Sequence, residues 1–300
     1  MTADTPNQKY KHLSNLPLSF RENLQYYRIK NFLFANWMMR RIAASYEAFR
    51  KFEVGRAITR RSIDKLQPNF QEHPSSIDYG YSVEGEELKV ALQYKKEIED
   101  NFPNSGESKQ LYQHAEVVLG ELLNDSKYLV NFGACFAYID SIMASKFPDI
   151  QFFGVDRSEY TKVLNDSCFS HLPNMTFVSD DIVNFLGENK FQNGVFFHTR
   201  TCCLLPRSYI ESVYKAVAEA GFSHIVCMEQ IGISRQTKIP YEFSDNEQPS
   251  VAYRLAMYIH NYPGILNKAG FMVTKAELLR TEHPHQDFRI LSITASRHHR

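Results

Sequence analysis

The stretch Tyr128-Leu-Val-Asn-Phe-Gly-Ala-Cys-Phe-Ala-Tyr-Ile-Asp140, followed by Ile150-Gln-Phe-Phe-Gly-Val-Asp156, decides how this chain folds. An apolar run ends at Gly133, a helix-length segment follows, and a second apolar run ends in an acid. That pattern predicts a strand, a tight turn onto a helix, and a neighbouring strand carrying a carboxylate at its C-terminal tip. A turn of this kind lets backbone approach a ligand closely. A carboxylate at that tip accepts hydrogen bonds from both hydroxyls of a ribose, so the arrangement suits a nucleoside.

Downstream the alternation continues. Strands are predicted over 128–133, 150–156, 175–180, 193–199, 224–230, 271–279 and 287–296, and helices over 136–146, 158–169, 206–220 and 249–268, with a short helix near 182–187. Such alternation predicts an α/β fold, a mostly parallel seven-stranded sheet covered by helices on both faces. The last two strands are joined by Arg280 to Gln286 alone, too short for a helical crossover, so they must pair antiparallel.

Upstream, helical stretches over about 86–101 and 107–124 are split by Phe102-Pro-Asn-Ser-Gly106, which predicts a domain boundary near residue 105. Residues 67–86 hold Pro68, Pro74, Gly80 and Gly85 and read as a loop. Residues 20–66 carry Phe32, Phe34, Trp37, Met38 and Ile42 at helical spacing. Residues 1–105 are therefore expected to form an N-terminal helical cap, and 106–300 the nucleoside-binding domain. The aromatic faces of the cap, Tyr27 and Trp37 among them, are expected to roof a substrate.

Bulk properties narrow the function. Lys plus Arg and Asp plus Glu are 34 each in 300 residues, which argues against a general nucleic-acid binder. No apolar run of membrane-spanning length and no signal-like N-terminus is present, so neither a membrane nor a secretory role is expected. Five cysteines, odd in number and without metal-site spacing, suit a reduced cytoplasmic protein, with no metal expected.

The order of elements over roughly 107–297 resembles the class I S-adenosylmethionine-dependent methyltransferases. Their first motif, an acid followed by Gly-x-Gly-x-Gly, matches Asn131-Phe-Gly133-Ala-Cys135-Phe-Ala137. Only the first glycine is kept, small residues stand at the other two positions, and the acid has become an amide. The resemblance implies a Rossmann-like methyltransferase fold with S-adenosylmethionine as donor. It implies that Asn131, Gly133, Ala134 and Cys135 line the cofactor and that Asp156, with Arg157 beside it, binds the ribose. Val178-Ser-Asp-Asp-Ile182 matches the adenine-reading segment, so Asp180 or Asp181 would accept from the exocyclic amine and Ile182 would pack on the ring. Gly194-Val-Phe-Phe-His-Thr-Arg200 matches the fourth strand, whose tip faces the sulfonium and the substrate.

His198 and Arg200 are accordingly expected at the reacting groups. A histidine there can take a proton during methyl transfer, and Arg200 can hold a carboxylate. Glu229 ends the fifth strand, and His260, Asn261 and Tyr262 precede Pro263. His260 is taken as a catalytic candidate, and Glu229, Asn261 and Tyr262 as substrate-binding ones. A helix cap is the plain alternative reading for Asp156 and for one of the two aspartates. Cys135 is expected at a helix N-terminus, where a thiol's pKa falls. The expected function is methyl transfer to oxygen or nitrogen of a small molecule, with a homodimer as one assembly. Two alternatives stand beside it: an enzyme that breaks the aminocarboxypropyl bond and releases methylthioadenosine, favoured by a neutral Asn131, and a non-catalytic adenosyl-binding module.

Overall fold

The computed structural model describes residues 8–10, 106–231, 241–252, 258–281 and 288–298. The expected helical cap, with Tyr27 and Trp37, and the boundary near residue 105 lie outside those residues.

Seven strands form one sheet: β1 (Tyr128–Phe132), β2 (Gln151–Asp156), β3 (Met175–Ser179), β4 (Gly194–Thr199), β5 (His224–Ile231), β6 (Phe271–Thr281) and β7 (Phe288–Arg297). Their spatial order is β3-β2-β1-β4-β5-β7-β6, with every pair from β3 to β5 parallel and both contacts of β7 antiparallel. This is the Rossmann-like methyltransferase sheet that the resemblance implies, closed by the antiparallel pair that the short connection demanded. The order reverses between β1 and β4, and in open α/β sheets ligands settle outside the carboxyl ends of the strands at such a reversal.

Helices α1 (Gly106–Leu123), α2 (Tyr138–Lys146) and α3 (Glu159–Phe169) cover one face, and α4 (Ile182–Glu188), α5 (Arg207–Ala220) and α6 (Tyr262–Lys268) the other. Strand alternation sorts the core accordingly. Leu129, Val195, Phe197, Val226 and Met228 pack under α1 and α2, while Val130, Phe196, Ile225 and Cys227 pack under α5 and α6. Among the described residues no helix is long and apolar enough to cross a membrane.

One element departs from expectation. In place of a helix over 249–268, Val251–Ala252 pairs antiparallel with Tyr258–Ile259, and the helix begins only at Tyr262. Pro263 sits in the first helical turn, where a missing N–H costs nothing, so it starts a helix at the point where the longer one was expected to run through. Gly264 allows the helix to meet the backbone of Asn246, whose carbonyl would lie 2.4 Å from an added Cβ.

Gly154, in β2 two residues before the acid, is held as tightly. A Cβ there would lie 2.8 Å from the Phe177 ring and 3.1 Å from Ala134. Gly154→Ala is expected to lower stability by about 1–3 kcal/mol, the usual range for overpacking. A urea unfolding midpoint unchanged from wild type would contradict that packing.

Candidate functional site

The turn after β1 keeps the backbone of a glycine-rich loop although two of its glycines are gone. Gly133, Cys135 and Ala137 all have positive φ, at 70°, 46° and 45°. Left-handed backbone at a residue with a Cβ costs roughly 1–2 kcal/mol, so surrounding contacts must hold it. They do so on both sides of Cys135. Its N–H donates to Asp156 Oδ2 at 3.3 Å, and its carbonyl accepts from Asn165 Nδ2 at 2.6 Å. Asn165, buried on α3, was not singled out from sequence, where a lone polar residue on a helix carries no signal. Although Cys135 is exposed, atoms crowded around its thiol, and then Asp156, raise its pKa to about 11. The helix-terminus effect expected to lower it is outweighed.

Asp156 stands at the tip of β2. Oδ1 accepts from the Ser158 N–H at 3.0 Å, and Ser158 itself caps α3, its Oγ accepting from Thr161 N–H at 3.3 Å. A carboxylate has about four lone-pair positions. Two are used by backbone donors, and the remaining ones match a ribose diol.

The two aspartates after β3 divide their work. Asp181 caps α4, accepting from Val183 N–H at 2.9 Å, and also accepts from the Tyr209 hydroxyl at 2.8 Å. Arg157 lies 3.8 Å from the same carboxylate. Asp180 accepts through Oδ1 from the Asp181 N–H at 2.6 Å and from Asn184 Nδ2 at 3.5 Å, which directs its other oxygen away from these bonds. Ile182, expected against the ring, is fully buried in the core under α5.

At the tips of β4 and β5 lies a buried network. His198 Nδ1 is 2.7 Å from Glu229 Oε1, and Nε2 is 2.7 Å from the Tyr214 hydroxyl. Glu229 Oε1 also accepts from the N–H groups of Thr201 and Cys202, at 3.1 and 2.9 Å, and Oε2 from that of Cys203, at 3.0 Å. Burial opposes a charged carboxyl, but the His198 bond and these N–H donors outweigh it and hold Glu229 below its ordinary 4.5. With the proton on Nδ1, the ring accepts from Tyr214, whose hydroxyl bonds in turn to the Cys227 thiol. His198, Cys202 and Glu229 lie within metal-ligand reach of one another, yet the glutamate lone pairs are already filled by N–H donors. His198 and Glu229, expected to face substrate, are therefore occupied inside the protein. They anchor the turn 201–204 at the mouth of the site. Thr201, in that turn, rests on Gly133, where an added Cβ would lie 2.4 Å from Thr201 Oγ1.

Arg200 begins this turn with φ 53° and lies near Tyr112, Cys135 and Cys203. Asn261 is wholly engaged: Nδ2 donates to the carbonyls of Ser244 and Asn246, and Oδ1 accepts from Ser244 N–H. His260 Nδ1 meets Ser250 Oγ at 2.6 Å, while Nε2 has no hydrogen bond of good geometry, with the carbonyls of Cys202 and Leu205 nearby. Burial lowers its pKa to about 4. The Tyr262 ring packs edge-on to His260, and its hydroxyl is buried without a hydrogen bond.

No protein-family model and no curated protein matches the chain. Among solved structures, the Burkholderia thailandensis 1,6-didemethyltoxoflavin-N1-methyltransferase, with 1,6-didemethyltoxoflavin and S-adenosylhomocysteine bound, is similar at 12% identity and TM-score 0.49, over 70% of this chain and 86% of that one. Magnesium protoporphyrin IX methyltransferase from Synechocystis PCC 6803, with S-adenosylmethionine bound, is similar at 12% identity and TM-score 0.45, over 73% and 100%. At that level of likeness neither bears on any residue of this chain, whose chemistry is read from its own side chains.

Glu229→Gln is expected to lower stability by about 3–5 kcal/mol at neutral pH, as breaking a buried charge network does. Because the folded carboxyl titrates below 4.5, its contribution is present above that value and is lost as pH falls through the folded pKa. The gap between variant and wild type in thermal unfolding should therefore narrow on strong acidification. A gap independent of pH would contradict an ionised Glu229.

Proposed function

We propose that this chain is an S-adenosylmethionine-dependent transferase that moves a methyl group to an oxygen or nitrogen of a small molecule. The observation that carries this reading is the joint between Asp156 and the turn. A carboxylate at the tip of β2 grips the Cys135 N–H and keeps lone pairs for a diol, beside backbone held in the conformation that admits close approach of a ligand. Asp180 Oδ2 extends the same edge toward an adenine amine.

Methyl transfer is an in-line displacement, in which alignment and exclusion of water supply most of the rate. A base is helpful where the acceptor must lose a proton. Neither histidine serves as that base in this arrangement: His198 is held by Glu229 and Tyr214, and the buried His260 turns Nε2 toward the carbonyls of Cys202 and Leu205, which call for an N–H there, so the proposed transfer rests on alignment. Arg200, at the same edge beside Tyr112 and Cys135, is read as the group that holds a carboxylate, of the cofactor or of the acceptor. The acceptor is read as a small molecule, since the balanced charge provides no excess for a nucleic acid.

Asn131 is the observation favouring the aminocarboxypropyl alternative, since an amide does not hold an ammonium by charge. Its bond to Asp140, described below, returns an acid to that spot and weighs toward methyl transfer.

Calorimetric titration with S-adenosylmethionine is expected to show micromolar binding, weakened roughly 10- to 100-fold in Asp156→Ala, the scale of a lost charged hydrogen bond. Turnover with an acceptor should release S-adenosylhomocysteine. Release of methylthioadenosine would move the assignment to the other bond, binding without any turnover would favour the non-catalytic module, and no binding would sink the cofactor reading itself.

A further inference from the structure

The face of the sheet under α1 and α2 ends, at its ligand edge, in a row of hydrogen-bond acceptors that lack donors. Asn131 Oδ1 at the end of β1, Asp140 Oδ1 on α2, Thr199 Oγ1 at the end of β4 and Gln230 Oε1 near the end of β5 are all buried and make no hydrogen bond among the described residues. Alternation places them on one face, stepped outward: Asn131 is level with Phe197, Thr199 lies two residues further out, and Gln230 two beyond the Met228 that pairs with Thr199. Asn131 follows Leu129, Thr199 follows Phe197, and Gln230 follows Met228, all of which face α1 and α2. Asn131, Asp140 and Gln230 are only 3%, 1% and 4% exposed. Orphaned acceptors at this depth are costly unless something supplies donors.

Two of them sit on residues already joined. Asn131 Nδ2 donates to Asp140 Oδ2 at 2.7 Å, which leaves one oxygen of each side chain without a hydrogen. A single proton on Asp140 supplies both needs. The carboxylic acid then donates from Oδ1 to Asn131 Oδ1 while its other oxygen accepts from the amide, closing a two-bond ring.

We infer that Asn131 and Asp140 form a proton-bound acid–amide pair, and that a cationic N–H donor docking at this row exchanges for that proton and leaves Asp140 charged against it. The inference rests on the cofactor reading proposed above, which brings a primary ammonium to this edge. The exchange balances: the proton goes to solvent, and the ammonium supplies both the positive charge and the donors that Asn131 Oδ1 and Asp140 Oδ1 lack.

The surroundings agree. Burial, first, and against it the hydrogen bonds from Asn131 and from the residue's own N–H, put the Asp140 carboxyl at about 7. The titratable group that faces it is Tyr112 from α1, which in turn feels Tyr138 of α2, Cys135 of the turn and Arg200 from the end of β4, with Asp156 of β2 acting on Cys135. Tyr112 is pushed well above the phenol range by burial, and Cys135 is near 11. Asp140 is thus the group of this set that titrates near neutrality.

The test compares S-adenosylhomocysteine, which carries the ammonium, with methylthioadenosine, which lacks the amino-acid end. Calorimetry in two buffers of different ionisation enthalpy, at pH 6, is expected to show release of nearly one proton per S-adenosylhomocysteine bound and none for methylthioadenosine. Affinity for the former should rise close to tenfold per pH unit below 7 and level off above it. Asp140→Asn keeps both bonds of the ring, so it should fold normally, abolish proton release and flatten the pH dependence. Carbon NMR of labelled aspartate should show, at pH 6, a protonated carboxyl that the variant lacks. S-adenosylhomocysteine bound with no proton release overturns the exchange while the cofactor reading stands. An ionised Asp140 at pH 6 overturns the pair, whatever binds. Failure of both nucleosides to bind brings down the cofactor reading and the exchange together.

Discussion

A carboxylate with no water around it must find its donors in the protein, and Glu229 finds four. One comes from the His198 ring on the neighbouring strand, and three are successive backbone N–H groups of residues 201–203. This satisfaction ties the ends of β4 and β5 to the turn that follows β4. Thr201 in that turn lies against Gly133, so the fixed turn sets the shape of the loop after β1. The ligand edge is organised from within the core outward, by a group that itself touches no ligand.

Strain and support balance along that edge. Cys135, Ala137 and Arg200 hold left-handed backbone without being glycine, and such residues gather where function needs a particular loop shape. Asp156 and Asn165 clamp Cys135 from both sides, which shows how a glycine motif can lose its glycines and keep its conformation. The same clamp makes Asp156 a brace of the turn, and in the proposed function it is the acceptor for a diol as well. Nearby, Asp140 restores at a helix position the acid absent from the strand.

The fold was legible because it rests on period and punctuation. Apolar runs ending in Gly133 and Asp156, and a seven-residue link between the last strands, leave little choice of sheet. The 249–268 segment misled because a run compatible with a helix carries Pro263, whose meaning depends on whether a helix starts or ends there. Asn261 settles that by binding the 244–246 backbone, a contact between segments that no local pattern shows. The shape of the candidate site was legible at the turn and at the strand tip carrying Asp156, where backbone geometry restricts residue type. It was not legible at His198 and Glu229. Strand position told that they lie at the ligand edge, but not that both turn to the α5 side and satisfy each other. Asp140 and Asn165 were invisible for the same reason, since each acquires its meaning from one partner across the turn.

Hydrogen exchange of the whole protein with and without S-adenosylhomocysteine tests the central claim most directly, because it reads where an adenosyl ligand rests without presuming a reaction. Slowed exchange over residues 133–137 and 156–158, reaching 180–182, is the predicted pattern. Protection that spares the turn and Asp156 and falls only on the 241–268 face, or no protection at saturating ligand, would contradict it.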